Sequence, residues 1–405
     1  MSSHRSAPTP LVVGGAALRR TWFAGPLRRA SIGAFFLALT GLAWAGGVPR
    51  RVPGAEHVVI YRQAGQYSAF PILYRLPDEF ETLFVGFGAG VTSSHLEPRR
   101  EKTRFTSTDG GRTWQRTSRD EPNPAWATGP TRPGRFVDPS AHAWRYVEAA
   151  RRAEFEARGI EVRNSPDGRV TYASGCFVRT SEDGGITWRQ TEIPVPPKAL
   201  IMGFLDPATD LRLDARTLLC AVYGRPTANV RFYEAWLLRS EDDGATWNFL
   251  TLAADPRKQR SFGETAIVEA ANGDVVAMMR TEPALGTKMW TARSADRGRT
   301  WSAAVETPLH GHPPHLLRLR DGTLLCTYGF RDSPIGIRAA LSRDHGRTWL
   351  EKDIVSLRAD GSGRPGDNGY PLTTELADGT LVSVYYITRD GVTGVEATRW
   401  KYPRN

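Results

Sequence analysis

The sequence predicts an all-β fold, a six-bladed propeller of four-stranded antiparallel blades. Three observations carry that prediction. An eight-residue pattern, Ser-x-Asp-x-Gly-x-Thr-Trp, occurs five times among the 405 residues, beginning at Ser107, Ser181, Ser240, Ser294 and Ser342. Of the intervals, 74, 59, 54 and 48 residues, the last three suit one four-stranded unit each, and the first spans an irregular repeat. A second turn signal, as in Asp321-Gly322-Thr323-Leu324, precedes most of these boxes by about 20 to 27 residues, with apolar β-rich runs on either side.

From the N-terminus, residues 1–45 carry five arginines and no acid, and end in the apolar run Ala30–Ala45 with the small-residue pattern Ala43-Trp44-Ala45. This predicts a secretory signal cleaved after Ala45, hence an exported protein, periplasmic or extracellular. The run is short for a membrane span, so membrane attachment follows only if the segment stays uncleaved. Losing those five arginines lowers the formal net charge from +10 to +5. The remaining basic residues are scattered and form no basic motif, which argues against nucleic acid. With 40% hydrophobic and 24% charged residues the chain is neither disordered nor collagen-like. Cys176, Cys220 and Cys326 each sit in an apolar strand-like run and read as buried thiols. No close ligand motif predicts a metal, and no cofactor is expected. Residues 46–405 are expected to form one domain and a monomer.

The next predicted strand, His57–Tyr61, is assigned to the last blade, where it closes the ring. Five boxes and a boxless final repeat from Tyr370 to Lys401 make six blades. Within a box the Asp carboxylate accepts backbone N–H bonds, Gly supplies a positive φ, and the indole packs beneath the turn. Asp109, Asp183, Asp242, Asp296 and Asp344 are therefore expected to be structural. Each repeat reads as strand, tight turn, strand, longer loop, strand, box turn, strand. Blade two departs from this pattern. Its run Ser140–Gly159 has helical spacing, including Ala149, Ala153, Phe155 and Ala157, and predicts a small helical insertion over about 138–160, on the rim or over the site.

That order puts the tight turns and boxes on one face, and the starts of the first strands with the longer loops on the other. Counting back ten residues from the tight turn reaches Glu264 from Asp274, Tyr370 from Thr380, and Pro313 from Thr323, flanked by His312 and His315. In blade one, Arg75 lies seven residues before Thr82. The ends of the second strands add Arg280 and Arg331, and the long loop of blade one carries Ser93, Ser94, His95 and Glu97. Three guanidinium forks from different blades suit one carboxylate, which points to an acidic glycan. An anionic sugar repels a carboxylate nucleophile, whereas tyrosine is neutral until its proton leaves. With an ordinary pKa of about 10 it needs a base, and Glu264 is placed to serve.

Over roughly residues 56–400 the sequence resembles the Asp-box sialidases (neuraminidases), also called the BNR-repeat superfamily. The resemblance implies a six-bladed propeller that removes terminal sialic acid with retention of configuration. The family motif Phe/Tyr-Arg-Ile-Pro matches Tyr74-Arg75-Leu76-Pro77, so Arg75 resembles the first arginine of the family's carboxylate triad. Arg280 and Arg331 resemble the second and third, with Arg338 a further candidate for the third. Glu264 and Tyr370 resemble the family's glutamate and its tyrosine nucleophile. The acid/base aspartate has no counterpart: the family spacing lands on Leu96, and no aspartate lies between Asp78 and Asp109. Glu97 and His95 are the candidates for that role.

Three functional readings follow. The first is an exo-acting sialidase-type glycosidase in which Arg75, Arg280 and Arg331 bind the carboxylate and Tyr370 attacks. The second is a uronic-acid glycosidase or lyase on the same scaffold, drawing on His95, His312 or His315. The third is a non-catalytic glycan-binding propeller.

Overall fold

The computed structural model describes residues 49–403 apart from 77, 91–100, 119–130, 142–143, 158–159, 161, 165–167, 174, 204, 206–208, 228, 283–287 and 363–367. The predicted signal segment and the candidates Ser93, Ser94, His95 and Glu97 lie outside the described residues.

Each box closes on itself in the same way. In the fourth, Asp296 Oδ1 accepts from Thr300 N at 2.8 Å and Ser294 Oγ at 2.7 Å, and Oδ2 accepts from Thr300 Oγ1 at 2.6 Å. Ser294 Oγ in turn accepts from Gly298 N at 2.7 Å. Asp109, Asp183, Asp242 and Asp344 repeat the carboxylate-to-threonine bonds. Two successive left-handed residues make the turn possible, as at Asp243 (φ 62°) and Gly244 (φ 79°). These carboxylates are occupied in holding turns.

This bonding also sets an acid limit on the fold. Hydrogen bonds from Thr187 and Thr300 hold Asp183 and Asp296 at about 2, below the ordinary 3.8. Partial burial pushes Asp109 upward, yet its bonds from Thr113, Ser107 and Arg112 bring it to about 2 as well. Because the folded values lie below the unfolded ones, the stabilisation is complete above about pH 4 and is lost as pH falls towards 2. Melting temperature is therefore expected to drop steeply across that window, and less steeply in Asp296→Asn. A flat profile between pH 4 and 2 would refute this account of the boxes.

The strands pair as the repeats predict. Tyr67–Arg75, Leu83–Gly90, Glu101–Ser107 and Gln115–Arg116 form an antiparallel run. So do Ser261–Glu269, Val275–Glu282, Lys288–Ser294 and Val305–His310, and likewise Pro314–Arg318, Leu324–Phe330, Ile335–Ser342 and Ile354–Gly361. In the third repeat the first strand is broken into Leu200–Gly203 and Asp210–Arg212, both paired with Leu218–Arg225. The second repeat supplies Phe136–Ala141, Cys176–Ser181 and Arg189–Ile193. In the last, Gly369–Glu375, Leu381–Arg389 and Val392–Trp400 pair in order, and Glu56–Tyr61 occupies the outer edge, the place expected for His57–Tyr61. A parallel bridge between Thr393 and Tyr67 joins last and first repeats into one eight-stranded sheet.

The insertion differs from its expectation. Phe136–Ala141 belongs to the second repeat's sheet, Trp144–Val147 pairs with Val170–Ala173, and among the described residues of the insertion only Arg152–Ala157 is α-helical, after a 3-10 turn at Ala149–Arg151. Tyr146 and Val147 favour a pleated surface, so the alanine periodicity governs only the short run after them. Phe155 anchors that run, buried and stacked 4.0 Å from Tyr172. No helix among the described residues is long and apolar enough to cross a membrane. All three cysteines are buried free thiols, and burial pushes Cys176 up to about 12.

One irregularity recurs in the first strands. Phe70 (φ 57°), Glu264 (φ 32°) and Tyr370 (φ 48°) are left-handed non-glycine residues, and each sits where the register with the next strand shifts. A bulge there breaks the alternation of faces and re-aims one side chain, at a cost in backbone strain. Each of the three lies five residues before the strand's last residue, Arg75, Glu269 or Glu375. They are positional equivalents.

Candidate active site

The re-aimed residues meet. Tyr370 Oη donates to Glu264 Oε1 at 2.5 Å, and Arg280 Nη1 donates to Glu264 Oε2 at 2.7 Å. Glu264 thus spans a phenol and a guanidinium carried by different repeats. Arg280 Nη2 also pairs with Glu282 at 3.1 Å. The Phe70 ring stands edge-on to Tyr370 with centroids 4.8 Å apart, and Tyr386 stacks at 6.0 Å. Arg331 is buried, gives its Nε to Asn368 O at 3.1 Å, and places its guanidinium 5.8 Å from the Tyr370 ring centre.

Glycine lets these repeats approach. A Cβ on Gly329 would fall 2.9 Å from both Gly369 Cα and His312 O, so only glycine admits the Asn368-Gly369 backbone beside it. That contact fixes the residue preceding Tyr370. Below the phenol lies a cavity of about 200 Å³ walled by Phe70, Ile72, Leu205, Pro313, Tyr370 and Leu372.

Burial first, and the Glu264 charge second, push Tyr370 well above the ordinary phenol value, while Arg280 and Arg331 oppose the shift. The phenol is therefore protonated at neutral pH and meets a base at hydrogen-bond distance. Burial works against the charge on Arg280, but Glu264 and Tyr370 outweigh it and raise its pKa. Burial, then the Arg280 and Arg331 charges, bring His312 down to about 2, so this imidazole is neutral. Burial also lowers His315 to about 4, and its Nδ1 accepts from Thr373 N at 3.3 Å, a bond that ties two strands together.

Of the residues expected at the site, the structure brings together Glu264, Arg280, Arg331 and Tyr370, with His312 beside them. It does not bring Arg75. That side chain is exposed, with Nη1 2.6 Å from Glu81 Oε1, and Glu81 in turn accepts from Ala377 N at 3.0 Å, beyond the end of the last repeat's first strand. Arg75 pairs with Leu83 as Glu375 pairs with Leu381, which puts it at the turn end, some ~16 Å along the strand from Phe70. The Tyr-Arg-Leu-Pro match falls at the strand's last residue, five positions from Phe70, and the turn after it is two residues longer than its counterpart after Glu375, which makes it look nearer the strand start than it is. Phe70 holds the position expected for the arginine. Arg338 packs its guanidinium 3.2 Å from the centre of the Phe330 ring, which leaves Arg331 as the arginine beside Tyr370.

Phe70, Tyr223 and Asn368 were not anticipated. Tyr223 is raised by burial and then by Glu264, and the site of a Cβ on Gly263 is 3.3 Å from its ring, so it flanks Glu264. Asn368 Nδ2 donates to Gly336 O at 2.9 Å and holds the approach to Tyr370. Counting from each strand's paired end instead of from its turn would have found Phe70. Among the described residues no group of three or more His, Cys, Asp or Glu is placed to hold a metal ion.

The arrangement of boxes and strands is shared with known proteins. A BNR repeat-like domain profile matches residues 160–384, and a BNR/Asp-box repeat profile matches 105–116. The chain belongs to the BNR repeat-like domain family and carries the BNR/Asp-box repeat. No curated protein sequence matches it significantly. Among solved structures, it is similar to a protein of unknown function from Dyadobacter fermentans DSM 18053, at 24% identity and TM-score 0.65, covering 87% of this chain and 100% of that one. It is also similar to an alpha-L-arabinanase of Penicillium chrysogenum complexed with arabinobiose, at 14% identity and TM-score 0.53, over 86% and 99% of the two chains. A mutant NanB sialidase from Streptococcus pneumoniae matches at 14% identity and TM-score 0.51, over 85% and 70%. At these identities the likeness concerns the fold.

Proposed function

We propose that the protein is a glycoside hydrolase that releases a terminal acidic sugar by a retaining mechanism, with sialic acid the first substrate to test. The carrying observation is the chain Tyr370 to Glu264 to Arg280, with contacts of 2.5 and 2.7 Å. Tyr370 Oη attacks the anomeric carbon as its proton passes to Glu264, and the glycosidic oxygen leaves with a proton from an acid sought at Glu97 or His95. Water then attacks the glycosyl-tyrosine and gives one proton to the deprotonated acid, while Glu264 returns its proton to the departing phenolate, so configuration is retained overall and the enzyme is restored. Arg331 places its guanidinium 5.8 Å from the Tyr370 ring centre and Arg280 bonds Glu264, the partner of the phenol, so a carboxylate they hold belongs on or beside the carbon under attack. That geometry suits a sugar with its carboxylate on the anomeric carbon. The arabinanase and sialidase among the similar structures support glycoside hydrolysis on this scaffold. The same reading includes six blades closed by Glu56–Tyr61, an exported monomer lacking residues 1–45, and no nucleic-acid partner.

One observation favours a second reading. Phe70 in place of a third arginine weakens the demand for a carboxylate at the anomeric carbon and admits a uronic acid. Incubation with a fluorogenic sialoside beside the matching glucuronide separates the two. Release from the sialoside alone is expected. Release from the glucuronide alone selects the second reading, and a folded sample inert on both overturns the glycosidase proposal.

A further inference from the structure

Tyr223 flanks Glu264 without serving as nucleophile, base or carboxylate ligand. It lies five residues beyond Leu218, the strand partner of the third box's Ser240. Arg280 lies five beyond Val275, the partner of Ser294 in the fourth box, and Gly329 lies five beyond Leu324, the partner of Ser342. Equal steps from equivalent paired ends reach the same level and the same face, so repeat three presents Tyr223 where repeat four presents Arg280. The half-buried ring is fixed on two sides. A Cβ on Gly263, next to Glu264, would stand 3.3 Å from it, and the Tyr233 ring lies 5.7 Å away. Tyr233 is tied to the strand that carries Glu264, its N donating to Ser261 Oγ at 3.1 Å and its O accepting from Phe262 N at 3.0 Å. The hydroxyl end is left open. Gly203, whose Cβ would stand 3.5 Å from Tyr223 Oη, puts no side chain over it, and among the described residues no group bonds it.

We infer that Tyr223 Oη hydrogen-bonds a hydroxyl of the sugar that Tyr370 attacks, which makes Tyr223 a specificity-determining residue on the repeat-three side of Glu264. Burial first, and then the Glu264 charge, keep this phenol protonated at neutral pH, with Arg280 opposing and Glu282 adding to the effect of Glu264. A phenol that keeps its proton both donates and accepts, and an alcohol matches it in both roles. The two carboxylates also disfavour an anion at this place, so the substrate's own carboxylate belongs with Arg280 and Arg331, and the partner of Tyr223 is uncharged. A sugar lacking that hydroxyl would leave the phenol unpaired once water is expelled, which is how a fixed polar group rejects a near-isostere.

This inference rests on the glycosidase reading and deepens it, and the test keeps the two apart. Full-length wild type and Tyr223→Phe are compared on whichever fluorogenic glycoside, sialoside or glucuronide, the wild type hydrolyses, and on its monodeoxy analogues, each lacking one hydroxyl of the acidic sugar. On the parent glycoside Tyr223→Phe is expected to lose about 5- to 10-fold in kcat/KM. One analogue should cost the wild type a similar factor and the variant nothing further, because the hydrogen bond it would lose is already gone. A variant equal to the wild type on the parent, or one that loses the same factor on every analogue, overturns the inference and leaves the glycosidase reading standing. If the wild type turns over neither parent, the glycosidase reading fails, and Tyr223 is judged by the affinities of free sialic and glucuronic acids and their monodeoxy forms for the two folded proteins: the same pattern in Kd supports the contact, and its absence overturns it.

Discussion

Tyr370→Phe is expected to abolish turnover and leave the fold intact. The ring contacts with Phe70 and Tyr386, at 4.8 and 6.0 Å, do not involve the hydroxyl and survive the change. Only the 2.5 Å bond to Glu264 Oε1 is lost, and Glu264 keeps Arg280 at 2.7 Å. Removing one partner of a largely buried hydrogen bond costs about 1–2 kcal/mol, a shift of a few degrees in melting temperature. The effect on rate belongs to another scale, because on the proposed mechanism the phenolic oxygen forms the glycosyl-enzyme bond. A fall in kcat of ~10³ or more is expected. The affinity for the released acidic sugar should stay within a few-fold, since both arginines remain. Steady-state kinetics, a melting curve and a titration with the free sugar check the three parts, and a variant turning over within tenfold of wild type would remove Tyr370 from the role of nucleophile.

The repeat pattern made the fold legible because each box is a closed local unit, a carboxylate bonding its own turn, and local units survive in sequence whatever surrounds them. Glu264, Arg280 and Tyr370 were legible for the same reason: the tight turns of the fourth and sixth repeats have the same length, so one count reaches both strand starts. Arg75 shows where that method stops. Its motif lies only seven residues before Thr82, and the first turn, held by Asp78 Oδ1 accepting from Thr82 N at 2.8 Å, takes up more of that interval than in other repeats, so the arginine falls at the opposite end of its strand. The helical insertion failed differently, because alanine spacing speaks for a helix only when no β-forming residue next to it finds a strand partner. Tyr146 and Val147 do, in Val170–Ala173. The contacts of Phe70 and Tyr223 depend on backbone bulges and on neighbouring repeats, which no pattern within a single repeat encodes.

Glu264→Leu is the sharper probe of how the site works, since its consequences for rate, stability and pH differ in kind. On the proposed mechanism Glu264 is the base that takes the phenolic proton, and its removal is expected to lower kcat about 10²- to 10⁴-fold. Arg280 keeps Glu282 at 3.1 Å but loses its shorter partner, and with both side chains partly open to solvent the loss of stability is about 1–3 kcal/mol. The pH dependence carries the most information. After burial, the Glu264 charge is the main influence raising Tyr370, whereas Arg280 and Arg331 lower it, so the variant's phenol titrates at lower pH than the wild type's. A group whose proton is lost more easily supplies phenolate without a base, and the residual rate of Glu264→Leu should therefore climb as pH rises, one decade per unit until the phenol has titrated. Ultraviolet difference titration of the tyrosine, beside kcat against pH, checks both halves. A residual rate flat with pH would mean that the proton leaves Tyr370 by another route, and that the contact between phenol and carboxylate organises the site without driving the reaction.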